Sequence, residues 1–373
     1  MRRALVPFCL ALALLSPLAA ADELTGDVSG AVMLRHNYYL ERSTRVIAPE
    51  AGIRLDLPSA TTIEAVYLID AITSASLAAG ALEDVAFTEV RHDVAARIEQ
   101  RIDINGNPAA FGALIRRSHE PDYDSLAVSL MARAEMNQRN TAVGFRLNFL
   151  EDEVRQTFRG RDNTPTTMDF RERLSGVGFG MTLTQLLSRT VSAGGEYEIV
   201  VLDGFTANAY RRVVVAGTPL PEKHPDSRRR HSVAGRLAIL FPAIATSLHV
   251  HMRLYRDDWK IRAITPELRV YHSLGESAHL RLRYRFYQQS AAFFHLETGE
   301  YQIDDPYRTA DPKMSAFHSH TLGGQMKIFG RFLEAGRFPR LADLSFDLGF
   351  EYIFNTNAYG NGLITQAGMH IPF

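Results

Sequence analysis

The chain has 373 residues, a formal net charge of −1 and a single cysteine. So small a net charge gives no strong preference for nucleic acid or anionic lipid, and one cysteine cannot form a disulfide framework. The length permits one large domain or two ordinary ones.

The first residues predict export through a cleaved signal peptide. Arg2 and Arg3 form a short cationic start, an apolar run follows over 4–15, and small alanines precede the next acidic residue. This three-part layout is typical of secretory signals. The apolar run is too short for a permanent helical anchor, which needs ~20 residues to cross a bilayer. We therefore expect a signal peptide over 1–21 and one mature domain over 22–373.

Beyond the signal, the dominant pattern is alternation of apolar and polar residues. It is clearest between Asp343 and Phe354, and it recurs over 89–104, 247–255 and 279–289. Successive side chains of a strand point to opposite faces, so each segment has one apolar face and one hydrophilic face. These segments exceed the ~5–6 residues usual for strands of soluble proteins and reach the ~9–11 needed to cross hydrocarbon.

The alternation predicts about 16 strands, with about 14 as the alternative count. In chain order the candidates are 28–39, 45–57, 61–73, 85–104, 109–119, 124–137, 141–152, 171–184, 189–202, 230–241, 243–256, 261–274, 277–289, 315–329, 341–354 and 361–373. The long polar connections 153–170, 203–229 and 290–314 all fall at one end of the sheet, and the tightest links fall at the other. Outer-membrane barrels have long external loops and short periplasmic turns. We therefore predict an all-β transmembrane antiparallel β-barrel with periplasmic termini; a soluble exported β-sandwich is the rival.

The final segment is similar to the last-strand signal of outer-membrane barrels. Alternate residues from Leu363 to Ile371 are mostly apolar, and the series ends on Phe373. Such a strand hands the chain to the barrel assembly machinery. We therefore expect Phe373 to be an assembly signal, and we expect outer-membrane lipid and that machinery as partners, without nucleic acid.

Charged residues on the hydrophilic faces are the candidates for the barrel lumen. The basic candidates are His249, His251, Arg253, Arg281, Arg283 and Arg285. The acidic candidates are Asp343, Asp347 and Glu351, with Glu196 and Glu198 as further carboxylates. A cationic stripe would attract anions, since charged rings set pore selectivity. The interpretation we favour is that the bases pair with the acids inside the lumen.

Other patterns give weaker indications of chemistry. His318 and His320 share a strand face, but a metal site needs three or four converging ligands. Ser319 points away from both, so it cannot be activated by either imidazole. The acidic residues near Asp203 and Asp257, at predicted outer ends of strands, lack the spacing of a calcium-binding loop. We expect no catalytic set, no metal site and no cofactor, and hence no enzyme.

Several short motifs form a recognisable set. They are Asp70–Ser76, Leu183–Ser188, Leu202–Phe205, Asn208–Arg211, Pro221-Glu222, Pro225-Asp226, Arg228–His231, Tyr255–Trp259 and Tyr284–Phe293. Together they resemble the DUF3570 family of outer-membrane barrels from Gram-negative bacteria. The resemblance implies the architecture and the membrane, but no chemistry.

The leading functional hypothesis is a porin-like channel for small polar solutes in the Gram-negative outer membrane. Barrels of about 16 strands tend to leave an aqueous channel. The alternative is a non-conducting barrel that serves as a surface receptor or as a scaffold for a periplasmic redox or assembly partner.

Overall fold

A computed structural model describes residues 28–42, 44–75, 86–159, 165–333 and 343–373. Within these ranges sixteen strands form one closed antiparallel barrel, and two short strands form a separate hairpin. The strands are β1 Ser29–Glu41, β2 Thr44–Asp56, β3 Thr61–Ala75, β4 Ala86–Ile104, β5 Asn107–Glu120, β6 Tyr123–Met136, β7 Thr141–Arg159, β8 Pro165–Leu186, β9 Val191–Gly204, β10 Arg212–Val215, β11 Thr218–Pro221, β12 Ser227–Phe241, β13 Thr246–Asp257, β14 Arg262–Leu274, β15 Ala278–Gln289, β16 Phe317–Phe329, β17 Ser345–Asn355 and β18 Gly362–Pro372. In this part of the chain no helix has the length and apolar character required to traverse a bilayer.

The barrel strands have one apolar face, which points outward. On β17, Phe346, Leu348 and Phe350 are 37%, 49% and 53% exposed, whereas Asp347 and Glu351 lie on the opposite face. Lipid offers the backbone no hydrogen bonds, so a sheet is stable there only when it has no free edge. Closure of the sheet meets this condition, and the fold class predicted from the alternation is confirmed.

The barrel closes where β1 pairs with β18. Gly30 and Phe373 exchange backbone hydrogen bonds of 2.9 Å in both directions. Farther along the same seam, the Gln366 side-chain amide donates to Oδ1 of Asn37 at 2.9 Å. The phenyl ring of Phe373 lies over Gly30, where an added Cβ would be 2.6 Å from the ring. The terminal aromatic is therefore part of the closing seam.

Short turns and long loops segregate to opposite ends of the barrel. At the short end, Asn105 and Gly106 join β4 to β5 with φ angles of 54° and 81°. Two-residue hairpins require such left-handed angles, which glycine adopts without steric cost. The Gly106 N–H also donates to Oδ1 of Asp103 at 2.6 Å. The β1–β18 seam places Gly30 and Phe373 at this same end.

The polar segments at the other end contain more regular structure than the sequence predicts. Much of 153–170 is a continuation of β7 and β8, and 203–229 contains the β10–β11 hairpin and the start of β12. Strands that extend beyond the bilayer have water on both faces, so their alternation of apolar residues is lost. The predicted signal peptide, 1–21, lies outside the described residues.

Two of these long connections fold together into what we call the cap, residues 205–226 and 290–316. Val215 of one connection forms a parallel bridge with Tyr301 of the other, and Lys223 forms an antiparallel bridge with Arg308. Val215 and Tyr301 are only 1% and 2% exposed. The cap is therefore a packed unit with a core of its own.

Candidate functional site

The structure places most of the predicted lumen residues on the inner face of the barrel. These are His249, His251 and Arg253 on β13, Arg281, Arg283 and Arg285 on β15, and Asp347 and Glu351 on β17. Each alternates with exposed apolar residues that face outward. Asp343 differs, because β17 begins only at Ser345; Asp343 lies in the preceding turn and is exposed. It belongs to the rim of the barrel and not to the wall.

Arg283 is the centre of an ion-pair network on this wall. Its guanidinium lies 2.7 Å from a carboxylate oxygen of Glu351 and 2.7 Å from one of Glu267. Arg281 approaches Glu351 at 3.7 Å, and Arg269 also binds Glu267. The basic ladder of β15 is therefore largely paired with carboxylates.

Glu267 is a member of this network that the list of sequence candidates did not include. It lies on β14 directly opposite His251 of β13 and Arg285 of β15. The signal was present in the sequence, since Glu267 falls between the outward-facing Ile264 and Leu268 in the alternation. Its side chain is only 5% exposed, so the two arginines that it binds are needed to offset the cost of burying its charge.

A glycine makes possible the contact between Arg283 and Glu351, which reaches across an intervening strand. Gly323 of β16 is the direct partner of both Arg283 and Glu351. A Cβ added at Gly323 would lie 2.7 Å from Cγ of Glu351. The missing side chain leaves room for Arg283 to reach across β16, and three neighbouring strands are connected in this way.

Water reaches other charged groups of the inner wall. The side chains of Arg35, Arg116 and Arg253 are 51%, 50% and 44% exposed although they face inward. Arg253 lies 3.8 Å from Glu198, which is itself 34% exposed. A lumen filled by packed side chains would bury these groups. The described part of the wall is therefore charged and wet.

The cap has a buried polar centre. Glu222, whose side chain is fully buried, lies 3.2 Å from Arg211, 3.3 Å from His224 and 2.6 Å from the hydroxyl of Thr309. Arg211 also lies 3.0 Å from Asp311 of the second connection. Burial alone raises the pKa of Glu222, but the contact with His224 and the charge of Arg211 outweigh it and lower the pKa to about 2. The carboxylate is therefore a charged link between the two connections.

An aromatic core lies beside this centre and contains the only tryptophan of the chain. Trp259 is 2% exposed and packs edge-to-face against Phe294. Its indole N–H donates to the Ser227 carbonyl at 2.9 Å, and the Arg228 guanidinium lies 4.1 Å from the ring centroid. At the end of β15, the Gln289 side chain donates to two cap carbonyls at 2.8 Å. Because Gln289 faces inward, the cap lies against the inside of the wall.

Contacts of the cap cross the barrel mouth from wall to wall. The Thr157 N–H of β7 donates to the Tyr210 hydroxyl at 2.9 Å, and the neighbouring Arg211 binds Asp311. The Tyr359 hydroxyl, in the β17–β18 loop, donates to Oδ1 of Asp311 at 3.2 Å. Seven strands separate β7 from β17 on one side (β8, β9 and β12–β16), and seven on the other (β1–β6 and β18). The cap therefore joins opposite sides of the outer mouth.

The weaker chemical candidates have ordinary structural roles. His318 and His320 face outward, and His320 contacts the Tyr284 hydroxyl at 2.9 Å. Asp257 accepts the Ile261 N–H within its turn and binds Arg228. Neither site brings several free ligand atoms together.

Three carboxylates come close together in the described part of the chain. Carboxylate oxygens of Glu89, Glu120 and Asp122 lie within 4.8 Å of one another near the outer ends of β4 and β5. Acidic groups of this kind are common without an ion, so the arrangement does not assign a metal.

The closed sheet, its apolar exterior and its charged interior define the class: a β-barrel of the outer-membrane type. The family model described as "Protein of unknown function (DUF3570)" matches residues 61–338. The chain belongs to this family, as its motifs indicated.

One solved structure supports the fold, and two more are similar to the chain at lower TM-scores. A bacterial polysaccharide outer membrane secretin matches with a TM-score of 0.53 at 9% identity, covering 92% of this chain and 98% of that one. OprD from Pseudomonas aeruginosa matches with a TM-score of 0.42 at 9% identity over 93% and 94% of the two chains. OccAB1 from Acinetobacter baumannii gives 0.40 at 10% identity over 93% and 96%. A search of curated protein sequences gave no match.

Proposed function

We propose that this protein is an outer-membrane channel that passes small polar solutes. The observation that carries the proposal is the wet, charged inner wall of a closed barrel of sixteen strands. Barrels of this size usually enclose more space than side chains can fill, and a polar lining favours water over apolar solutes. The exposed lumen residues Arg253 and Glu198 offer charges of both signs to a polar solute.

The cap defines the expected size limit. Because it joins opposite sides of the outer mouth, a solute has to pass between the cap and the uncovered part of the wall. The described contacts of the cap lie on β7, β15, the β5–β6 turn and the β17–β18 loop, so β1–β4 form the sector farthest from them. We infer that this sector provides the entry path and that the channel admits small solutes only.

The proposed location is the Gram-negative outer membrane, with the long loops outside. Its support is the fold, the exposed apolar band and the closing strand that ends on Phe373. Barrels of that membrane have short periplasmic turns and longer external loops, which matches the two ends of this one. The barrel assembly machinery is the partner that this location requires.

Single-channel recording of the purified, refolded protein in planar bilayers tests the proposal. We expect discrete conductance steps, and we expect swelling of proteoliposomes in small sugars that weakens as the sugar becomes larger. Heat-denatured protein is the control for leakage. Bilayers that stay closed at all voltages, together with absent swelling, would contradict the channel.

A second candidate function is favoured by one specific observation, the packed cap. A mouth crossed by ordered, buried contacts is also suited to a non-conducting barrel that presents the cap as a surface receptor or anchors a partner. This candidate predicts closed bilayers both for the wild type and for variants with a loosened cap. Conductance that appears when the cap is loosened would favour the channel instead.

A further inference from the structure

Four cations lie together at the outer ends of β12, β13 and β14. Arg256 and Arg262 are directly paired in the β13–β14 register, Arg229 lies on β12, and Lys260 lies in the turn between β13 and β14. All four are exposed. We call them the outer cationic row.

The two arginines of the pair face the membrane side of the barrel. Leu254 and Ile264, the preceding pair on this face, are 53% and 37% exposed and belong to the outward apolar band. Arg256 and Arg262 are two residues farther along the same strands, so they share that face. Ala263, on the opposite face, is buried. The guanidinium groups therefore lie directly beyond the apolar band, at the level where acyl chains give way to headgroups.

In the described part of the chain, these four side chains form no ion pair with a carboxylate. Within the described ranges, none of the four side chains has a carboxylate oxygen within 4.0 Å, whereas the neighbouring, inward-facing Arg228 is paired with Asp257. The Asp258 carboxylate accepts the backbone N–H of Arg229. Like charges directly opposite each other destabilise a sheet, so Arg256 beside Arg262 is unfavourable without an anion.

We propose that the outer cationic row binds the phosphate groups of a phosphorylated lipid in the outer leaflet. Arginine forms strong, paired hydrogen bonds with phosphate, and each cation near an anionic membrane surface adds to the affinity. Lys260 also lies 5.6 Å from the exposed ring of Phe293. The near-zero net charge of the chain conceals this patch because acids elsewhere cancel it.

Native mass spectrometry of the full-length protein in detergent tests the proposal with lipid A as the probe. We expect bisphosphorylated lipid A to bind the wild type, and the Arg256→Gln/Arg262→Gln variant to bind it about thirtyfold more weakly, because two interfacial cations are lost. The control is Arg101→Gln/Arg133→Gln, which removes equal charge from exposed arginines at the opposite end of the barrel. The control variant should bind like the wild type.

Two further binding experiments use the wild type alone, so the proposal stays testable even if a variant fails to fold. Dephosphorylated lipid A should bind much more weakly than the bisphosphorylated form. Inorganic phosphate should not displace the lipid at equal concentration. Equal binding of both lipids, displacement by free phosphate, or an unchanged affinity of a folded Arg256→Gln/Arg262→Gln variant would each overturn the proposal. Conductance is not a readout here, so the result is independent of the channel.

Discussion

The Nη1 atom of Arg283 lies 2.8 and 2.7 Å from the two carboxylate oxygens of Glu351, although a complete strand separates these residues. The contact exists because the intervening residue is Gly323, which is the register partner of both. The ion pair therefore depends on a residue that takes no part in it. Loss of either charge, or addition of a side chain between them, changes the same contact.

Substitution of Gly323 by alanine should destabilise the barrel. The new Cβ would lie 2.7 Å from Cγ of Glu351 and 3.1 Å from the Phe350 carbonyl, so side chain and backbone both have to shift. We expect a loss of about 1–3 kcal/mol in the free energy of unfolding, as for other overpacked sites. Urea unfolding in lipid vesicles measures it. Gly324→Ala is the matched control, since its nearest neighbours would be 3.8 Å away; equal losses for the two variants would contradict this explanation.

Opposite substitutions in the lumen should shift ion selectivity in opposite directions. Glu351→Gln leaves Arg281 and Arg283 with less negative charge nearby, so anions become more permeant. Arg283→Gln leaves Glu267 and Glu351 less neutralised, so cations become more permeant. Reversal potentials in a KCl gradient measure both shifts. Glu151→Gln, on the outer surface, is the control that should not change the potential; shifts of equal sign in the two lumen variants would contradict the assignment.

The sequence predicts the barrel well because the membrane imposes a period of two on every spanning strand. The pattern at Leu348 and Phe350 is visible without a structure, and so is the inward parity of Arg283. Contacts that depend on how neighbouring strands are aligned cannot be predicted from this alternation. Nothing in the local pattern indicates that Gly323 lies between Arg283 and Glu351, because that relation comes from the alignment of three strands.

The cap could not be predicted for a different physical reason. Its core combines residues from two loops, such as Val215 and Tyr301, that are far apart in the chain and have no shared periodicity. In the sequence, its buried charged residues, such as Glu222, cannot be distinguished from the exposed charged residues that are usual in loops. Alternation also fails to mark where a strand begins. It continues for two residues before β17, which is why Asp343 was predicted to lie in the wall.

Acid should loosen the cap through Glu222. The folded pKa, about 2, is below the ordinary value of 4.5, so the stabilisation is complete above about pH 4.5 and is lost as the pH falls toward 2. Trp259 is the only tryptophan and packs against the cap residue Phe294, so its fluorescence reports on the cap. We expect a red shift in this pH window. In Glu222→Gln the emission should be shifted at neutral pH and should depend less on acid; an identical titration in both proteins would contradict this role.

Removal of two hydroxyl groups should loosen the contacts across the mouth. Tyr210→Phe loses the bond to Thr157, and Tyr359→Phe loses the bond to Asp311. If the cap restricts passage, the double variant should show larger or more frequent conductance steps than the wild type. Tyr197→Phe is the control, because its hydroxyl contacts His231 on the outside of the barrel. Unchanged conductance in a folded double variant would show that these bonds do not limit flow.

Substitution of Phe373 by alanine should reduce the amount of barrel that is assembled. The ring covers Gly30 at the closing seam, and we predict that the terminal aromatic is also read by the assembly machinery. The measurement is the heat-modifiable fraction in outer-membrane preparations, with Phe354→Ala, another exposed aromatic, as the control. A defect in cells that disappears on refolding in vitro would assign the effect to recognition. A defect under both conditions would assign it to the seam, and no defect under either would contradict both roles.

The hydrogen bond between Gln366 and Asn37 joins residues 329 positions apart. The pairing of β1 with β18 closes a longer loop than any other strand pair of the described sheet, so we expect the seam to form late, after the neighbouring hairpins. Until then the growing sheet has two unpaired edges, each able to pair with another chain. The rate of ring closure, and not the stability of individual hairpins, should therefore decide how much of the protein aggregates during refolding.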